Sequence, residues 1–69
     1  MEKMASYYVG NNAQASGDHE VHIAGCVWMP ADRTYLGEHN DCFDAIRVAR
    51  KTYRQANGCY FCCNACHSQ

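Results

Sequence analysis

Two short segments of the chain carry pairs of residues that are typical zinc ligands. His22 and Cys26 are separated by three residues, and Cys59 and Cys62 are separated by two. Structural zinc sites take four Cys or His ligands in a tetrahedron, and a spacing of two to four residues lets one tight turn present two of them. The sequence therefore predicts a zinc ion bound by His22, Cys26, Cys59 and Cys62.

Three further soft ligands follow the second pair, namely Cys63, Cys66 and His67. They could form a second metal site, and Cys66 could replace His22 as the fourth ligand. Alternatively, they are ordinary residues of the C-terminal segment or hydrogen-bond partners of the first site. The spacing does not choose between Cys62 and Cys63, because both lie close enough to Cys59 to close a turn.

The small size of the chain makes a stabilising link necessary. A domain of 69 residues buries little apolar surface, and domains of this size commonly depend on a metal or on disulfides. The first residues lack the apolar stretch of a secretory signal, and no apolar segment has transmembrane length. We therefore expect a cytoplasmic protein with reduced thiols and no membrane partner, which favours a metal over three disulfides.

The segments between the ligand pairs predict strands and one helix. Residues 5–9 and 19–24 are β-prone and predict a hairpin, and residues 34–36 predict a short third strand. Alternation along the second strand places Val21 on the core face and His22 on the opposite face.

A capped helix is predicted over residues 42–56. Asn40 or Asp41 is a suitable N-cap, with Asp44 three residues beyond Asp41. Asn57-Gly58 is predicted to end the helix, with Gly58 in the left-handed cap conformation. One buried face follows helical spacing and consists of Cys42, Ala45, Ile46, Ala49 and Tyr53. Cys42 is expected to pack there as a small apolar residue.

This order of features resembles a known zinc module. A His-x3-Cys pair, a proline, a Tyr-Leu strand, a capped helix and a Gly-Cys-x2-Cys sequence follow one another over residues 19–63. The arrangement is similar to the Ada-type zinc-binding module of bacterial adaptive-response methyltransferases and to related modules of some bacterial nucleases. The residues that carry the resemblance are His22, Cys26, Pro30, Tyr35, Leu36, Ala45, Gly58, Cys59 and Cys62. The whole chain also resembles a group of short bacterial proteins, and that resemblance implies no function.

The resemblance implies the metal site but not the reaction of the family. In the methyltransferase, the first cysteine of the first pair accepts a methyl group from DNA, and here His22 occupies that position. A zinc-bound imidazole is not a comparable methyl acceptor. Zinc also quenches the nucleophilicity of the thiolates that it holds, and no third group that would orient a Cys-His pair can be named. We therefore expect that the protein is not an enzyme.

Basic residues on the predicted helix suggest a partner. Arg47, Arg50, Lys51 and Arg54 fall on one arc opposite the apolar face, with Phe43 near its edge. This stripe could contact phosphates or an acidic protein. The alternative is a solvated face that complements the helix dipole, since the net charge of −1 provides no general attraction to nucleic acid. Trp28 and one of Tyr60 and Phe61 are further candidates for exposed contact residues.

Together these patterns predict a single small α+β domain over residues 1–69, with a hairpin, a third strand, one helix, a C-terminal cysteine knuckle and disorder in residues 1–4. Our first functional hypothesis is a non-enzymatic zinc module that binds a protein or nucleic acid. A redox or metal-responsive thiol switch using Cys63 and Cys66 is the second. A disulfide-linked extracellular scaffold is the third. The oligomeric state is not indicated.

Overall fold

The computed structural model describes residues 3–68. Within them four strands and one α-helix form the predicted α+β fold, with one strand more than predicted. The expected disorder of residues 1–4 concerns residues 1 and 2, which lie outside the described part, and residues 3 and 4, which have no regular secondary structure. Within residues 3–68, no helix is long and apolar enough to cross a membrane. The elements are β1 (Ala5–Gly10), β2 (His19–Ile23), β3 (Arg33–His39), α1 (Cys42–Ala49), β4 (Ala56–Gly58) and a short 3₁₀ helix (Asn64–Cys66).

The predicted hairpin and third strand are both confirmed. The strand order in the sheet is β3-β1-β2-β4. β1 pairs antiparallel with β2, so that Tyr8 lies opposite His22, and with β3 on its other side. β3 is longer than the predicted strand of residues 34–36. The register of its pairing with β1 shifts between Tyr7 and Tyr8 of β1, opposite Gly37, which adopts a φ of 98°. Glycine accepts this left-handed conformation without a side-chain clash.

The helix is shorter than predicted, because it ends at Ala49 and not near residue 56. Asp41 is its N-cap, with the carboxylate accepting the Asp44 N–H at 3.0 Å. Residues 50–55 form turns that return the chain to the sheet, where residues 56–58 add a fourth strand parallel to β2. Pairing with β2 buries all three residues of β4. This burial outweighs the helix propensity of exposed residues, which is worth only tenths of a kcal/mol per residue.

Gly58 does not end a helix, contrary to the prediction. It lies in β4, is buried, and has no positive φ. A Cβ atom at this position would lie 2.7 Å from the Cys63 carbonyl oxygen and 2.8 Å from the Cys66 Cβ. Glycine is therefore required because the C-terminal segment packs directly against the β4 backbone.

The core lies between α1 and one face of the sheet. It includes Val21 but not His22, which is buried on the opposite face, so the predicted alternation of β2 is confirmed. Tyr53, predicted on the buried helix face, lies beyond the helix and stacks on the His19 ring with centroids 3.8 Å apart. The buried core residues are Tyr7, Val9, Val21, Cys42, Ala45, Ile46, Ala49, Ala56 and Cys63.

Candidate metal centre

Four side chains predicted as ligands converge at one end of the sheet. One possible ligand atom from each of His22, Cys26, Cys59 and Cys62 lies within 4.8 Å of all the others, so this group could hold a metal ion. Within residues 3–68 it is the one group of this kind. The structure also chooses between neighbouring cysteines, since Cys62 belongs to the group and Cys63 does not.

The parallel pairing of β2 and β4 explains the convergence. Parallel neighbours bring their carboxyl ends to the same edge of a sheet, and each of these strands is followed there by a ligand loop. The Cys59 N–H continues the ladder by donating to the Val21 carbonyl at 2.9 Å. After β2, Gly25 adopts a φ of 92° and turns the chain into Cys26. The turn positions Cys26 beside His22, because the Cys26 N–H donates to the Ile23 carbonyl at 3.1 Å.

The spacing of the ligand atoms suits a tetrahedral ion. The Cys26 and Cys59 Sγ atoms are 3.9 Å apart, and the Cys62 Sγ is 3.9 Å from the His22 Nδ1. Zinc–sulfur bonds of about 2.3 Å in a tetrahedron separate two sulfurs by about 3.8 Å. The cluster therefore has nearly the dimensions of a zinc site.

Backbone donors also point at two of the sulfurs. The Ile23 N–H donates to the Cys62 Sγ at 3.3 Å, and the Trp28 N–H donates to the Cys26 Sγ at 3.4 Å. Outer hydrogen bonds of this kind orient ligands and offset part of the negative charge of a thiolate. The loops thus provide groups that stabilise the ionised form of the cluster.

Burial opposes charge at the site when no cation is present. Cys59 and His22 are 1% and 2% exposed. Burial raises the pKa of the Cys62 thiol, and the Ile23 N–H opposes this shift. Burial also lowers the pKa of His22, which the Glu20 carboxylate opposes. A neutral imidazole is the form that binds metal, whereas the thiols must lose protons, so metal binding would release protons.

Glu20 is a neighbour of the cluster that the sequence analysis did not identify as functional. Its Oε1 lies 3.6 Å from the His22 Nε2, while the His22 Nδ1 faces Cys62. A carboxylate on the far nitrogen is a frequent outer partner of metal-bound histidines. The i, i+2 spacing in a strand could have indicated this role, because it places both side chains on one face.

The other soft ligands lie outside the cluster. Cys63 is buried in the core beneath α1, although its Sγ is 3.8 Å from that of Cys62. The His67 Nδ1 is 2.9 Å from the Gly58 carbonyl oxygen. Cys66 forms a disulfide with Cys42, across 24 positions of sequence. The predicted alternative ligands therefore do not assemble into a second site.

The disulfide corrects two further predictions. Cys42 is buried on α1 as expected, but it is bonded to Cys66 instead of packing as a free apolar side chain. All six cysteines lie within the described residues, and four of them are free, so the three disulfides of the scaffold hypothesis are not formed.

The basic residues do not form one helical stripe, because α1 ends before Lys51 and Arg54. Arg47 pairs with Asp44 at 2.9 Å, and Arg50 donates to the Ala56 carbonyl at 3.2 Å. Phe43 is exposed, and together with Arg47 and Arg50 it lines an open pocket of about 470 Å³ beside the disulfide. Three of the five predicted partner-binding residues therefore share one surface.

Comparisons of the chain with protein-family models, with curated proteins and with solved structures find no match. The function is consequently argued from the geometry of the chain itself.

Proposed function

We propose that the protein is a single-domain, non-enzymatic zinc module in which His22, Cys26, Cys59 and Cys62 bind one structural zinc ion. The observation that carries this proposal is the convergence of four soft-ligand atoms within 4.8 Å. One imidazole and three thiols form a donor set that selects zinc among the common divalent ions. Four protein ligands also leave no open coordination position, which is typical of structural and not catalytic zinc.

The zinc ion would add a strong link between two loops that otherwise meet through the Ile23–Cys62 hydrogen bond and the Trp28–Phe61 ring contact. It would join the loop after β2 to the turn after β4, where Cys26 and Cys62 are only partly buried. Structural zinc in small modules contributes on the order of 10–16 kcal/mol to folding. We therefore expect the metal to be the main stabilising interaction at this end of the sheet. The layout of the ligands is consistent with the Ada-type resemblance, and His22 at the first position speaks against methyl transfer.

Native mass spectrometry of protein purified without added metal or chelator tests this proposal. We expect one zinc per chain, and we expect chelation to remove the zinc together with the circular dichroism of the fold. A protein that binds no metal, or that keeps its fold unchanged after chelation, would contradict the proposal.

For the partner, we propose an acidic protein surface or nucleic acid that contacts Phe43, Arg47 and Arg50, with Lys51 and Arg54 beside them. Shared lining of one pocket by Phe43, Arg47 and Arg50 supports this choice. The Arg47–Asp44 pair does not remove Arg47 from this surface, because their side chains are 75% and 41% exposed and surface ion pairs are weak. Replacement of the four basic residues by Ala should abolish partner association and leave the zinc content unchanged. Unchanged association would rule out this surface.

The Cys42–Cys66 bond favours a second candidate, a redox switch, in which Cys42 and not the predicted Cys63 acts together with Cys66. A cellular dithiol would transfer two electrons and two protons to this disulfide, yielding two thiols and an oxidised reductant. The 3₁₀ helix would then lose its covalent link to α1. We propose a cytoplasmic location, where zinc-bound thiolates are retained and such a disulfide is open to reduction. If reduction changed neither zinc retention nor partner association, the switch would be excluded.

A further inference from the structure

Three large aromatic side chains are exposed next to the metal centre. Trp28, Tyr60 and Phe61 are 59%, 57% and 65% exposed. Trp28 lies two residues after the ligand Cys26, and Tyr60 and Phe61 lie between the ligands Cys59 and Cys62. The turns that present the ligands therefore also present these rings to solvent.

The rings are arranged in contact with one another. Trp28 and Phe61 are nearly parallel, with centroids 5.3 Å apart and an interplanar angle of 24°. Tyr60 is perpendicular to Phe61, at 5.1 Å and 88°. Tyr60 also contacts the His67 ring edge-on, with ring centroids 5.4 Å apart. The cluster consequently offers aromatic surfaces in two orientations.

These aromatic residues line an open pocket of about 240 Å³, together with Gln14, Glu20 and Cys59. Glu20 is the one charged residue among those that line it, all of which belong to the described part of the chain. Its Oε1 faces His22, and its side chain is 25% exposed. The pocket therefore combines three aromatic side chains with a single negative charge.

We infer that this pocket binds an alkylated ammonium group. The face of an aromatic ring attracts a cation, and methylated ammonium ions suit such sites because they combine positive charge with an apolar surface and little hydration. Glu20 adds attraction for a cation and disfavours anions. The exposed rings are not explained by the metal centre, which uses none of the three as a ligand. This inference goes beyond the proposed zinc module, because recognition here rests on the rings and on Glu20.

Alkylated ammonium groups occur both in small quaternary amines and in methylated lysine side chains. The test therefore uses tetramethylammonium as its first probe and a peptide containing trimethyllysine as its second. Trp28 is the only tryptophan of the chain, so its fluorescence reports binding directly.

Titration of wild-type protein of measured metal content should give a saturable change in Trp28 emission with tetramethylammonium chloride, and none with sodium chloride. Neopentyl alcohol has a similar shape without charge and should bind at least about tenfold more weakly. A peptide that binds much more tightly than tetramethylammonium would identify a modified side chain as the ligand, and equal affinity would identify a small amine. Both results support the inference.

Two variants and one control sharpen the test. Glu20→Gln and Phe61→Leu should each weaken cation binding by about tenfold, since one removes the charge and the other a π face. Tyr35→Leu changes an exposed aromatic residue of β3 outside this pocket and should leave the affinity unchanged. Metal content is measured for each variant, so that loss of zinc is recognised separately from loss of cation binding. Absence of a saturable response in the wild type, or equal affinity for the cation and the alcohol, would overturn the inference.

Discussion

The C-terminal segment is attached to the rest of the molecule in two regions that work in different ways. At the edge of the sheet, Cys59 and Cys62 meet His22 and Cys26 in a cluster of four side chains that could hold a metal ion. Beneath α1, Cys66 is joined to Cys42 by a covalent bond. The first region is set by the backbone ladder of two parallel strands, and the second by the packing of a helix against the chain end.

Neighbouring residues can belong to different regions. Cys62 faces the ligand cluster, and Cys63, the next residue, is buried in the core beneath α1. Their sulfurs are nevertheless only 3.8 Å apart. The chemistry of each cysteine therefore depends on the direction of its side chain and not on its position in the motif.

The largest effect is expected from removing a ligand. Cys59→Ala should abolish zinc binding and unfold the chain, because the loss approaches the roughly 10 kcal/mol that structural zinc supplies. Cys63→Ala makes the same chemical change in the core, and it should keep one zinc per chain and cost about 1–2 kcal/mol. Metal content and circular dichroism of both variants provide the measurement. Zinc loss in the Cys63 variant alone would show that the two cysteines have been assigned to the wrong regions.

The disulfide should contribute less to the free energy of unfolding than the metal site does. Reduction of Cys42–Cys66 opens a loop with a sequence separation of 24. The chain-entropy relation for a loop of this size gives about 3.5 kcal/mol. Denaturant unfolding with and without a phosphine reductant measures this difference. The Cys42→Ala, Cys66→Ala double variant should be insensitive to the reductant, and an equal response in that variant would assign the effect elsewhere.

Gly58 lies where the two regions meet, since it directly precedes Cys59 and a Cβ on it would lie within 3 Å of Cys63 and Cys66. Gly58→Ala should destabilise the protein by about 3 kcal/mol, because the added methyl group overlaps backbone atoms. Gly25→Ala is the matched control, with open space around the position and a φ of 92°. It should cost only about 1–2 kcal/mol of conformational strain. Thermal unfolding compares the two, and equal losses would argue against the close packing at Gly58.

Within the metal region, Glu20 should tune the site without forming it. Glu20→Gln is expected to weaken zinc affinity by about 10- to 100-fold, as other losses of outer-shell partners do. Glu38→Gln on β3 lies outside the ligand cluster and should leave the affinity unchanged. Competition with a chromogenic chelator measures both variants. A zinc affinity of the Glu20 variant equal to that of the wild type would remove Glu20 from the site.

The smallest effect should appear in the core at alkaline pH. Burial raises the pKa of Tyr7, and the nearby Cys63 thiol adds to the shift. The stability that depends on the neutral phenol is thus fully present below the unfolded pKa of about 10 and is lost as the pH rises through the folded value. Denaturant unfolding of the zinc-loaded protein between pH 9 and 11 should show this decline. Tyr7→Phe should reduce its slope, and an unchanged slope would assign the decline to another group.

Much of the fold follows from local sequence patterns. The hairpin, the third strand, the Asp41 cap and the buried face of α1 were all predictable, because β-propensity, capping and apolar periodicity act within a few residues. The residue pairs of the candidate site were also predicted from spacing, which left Cys63 open as an alternative to Cys62 and Cys66 as an alternative to His22. The end of α1 was not predictable, since residues 50–55 carry no local stop signal and the pairing of residues 56–58 with β2 is a long-range contact.

What the sequence determines by itself is a set of ligand pairs and the elements between them, because short spacing controls which atoms one turn can present together. Tertiary structure alone decided that β4 lies parallel to β2, that Cys62 and not Cys63 joins the cluster, and that Cys66 pairs with Cys42. It also brought Glu20, Trp28, Tyr60 and Phe61 around one pocket. These outcomes depend on contacts between residues distant in the chain, whose relative positions follow from the packing of the whole fold and are not encoded in any single segment.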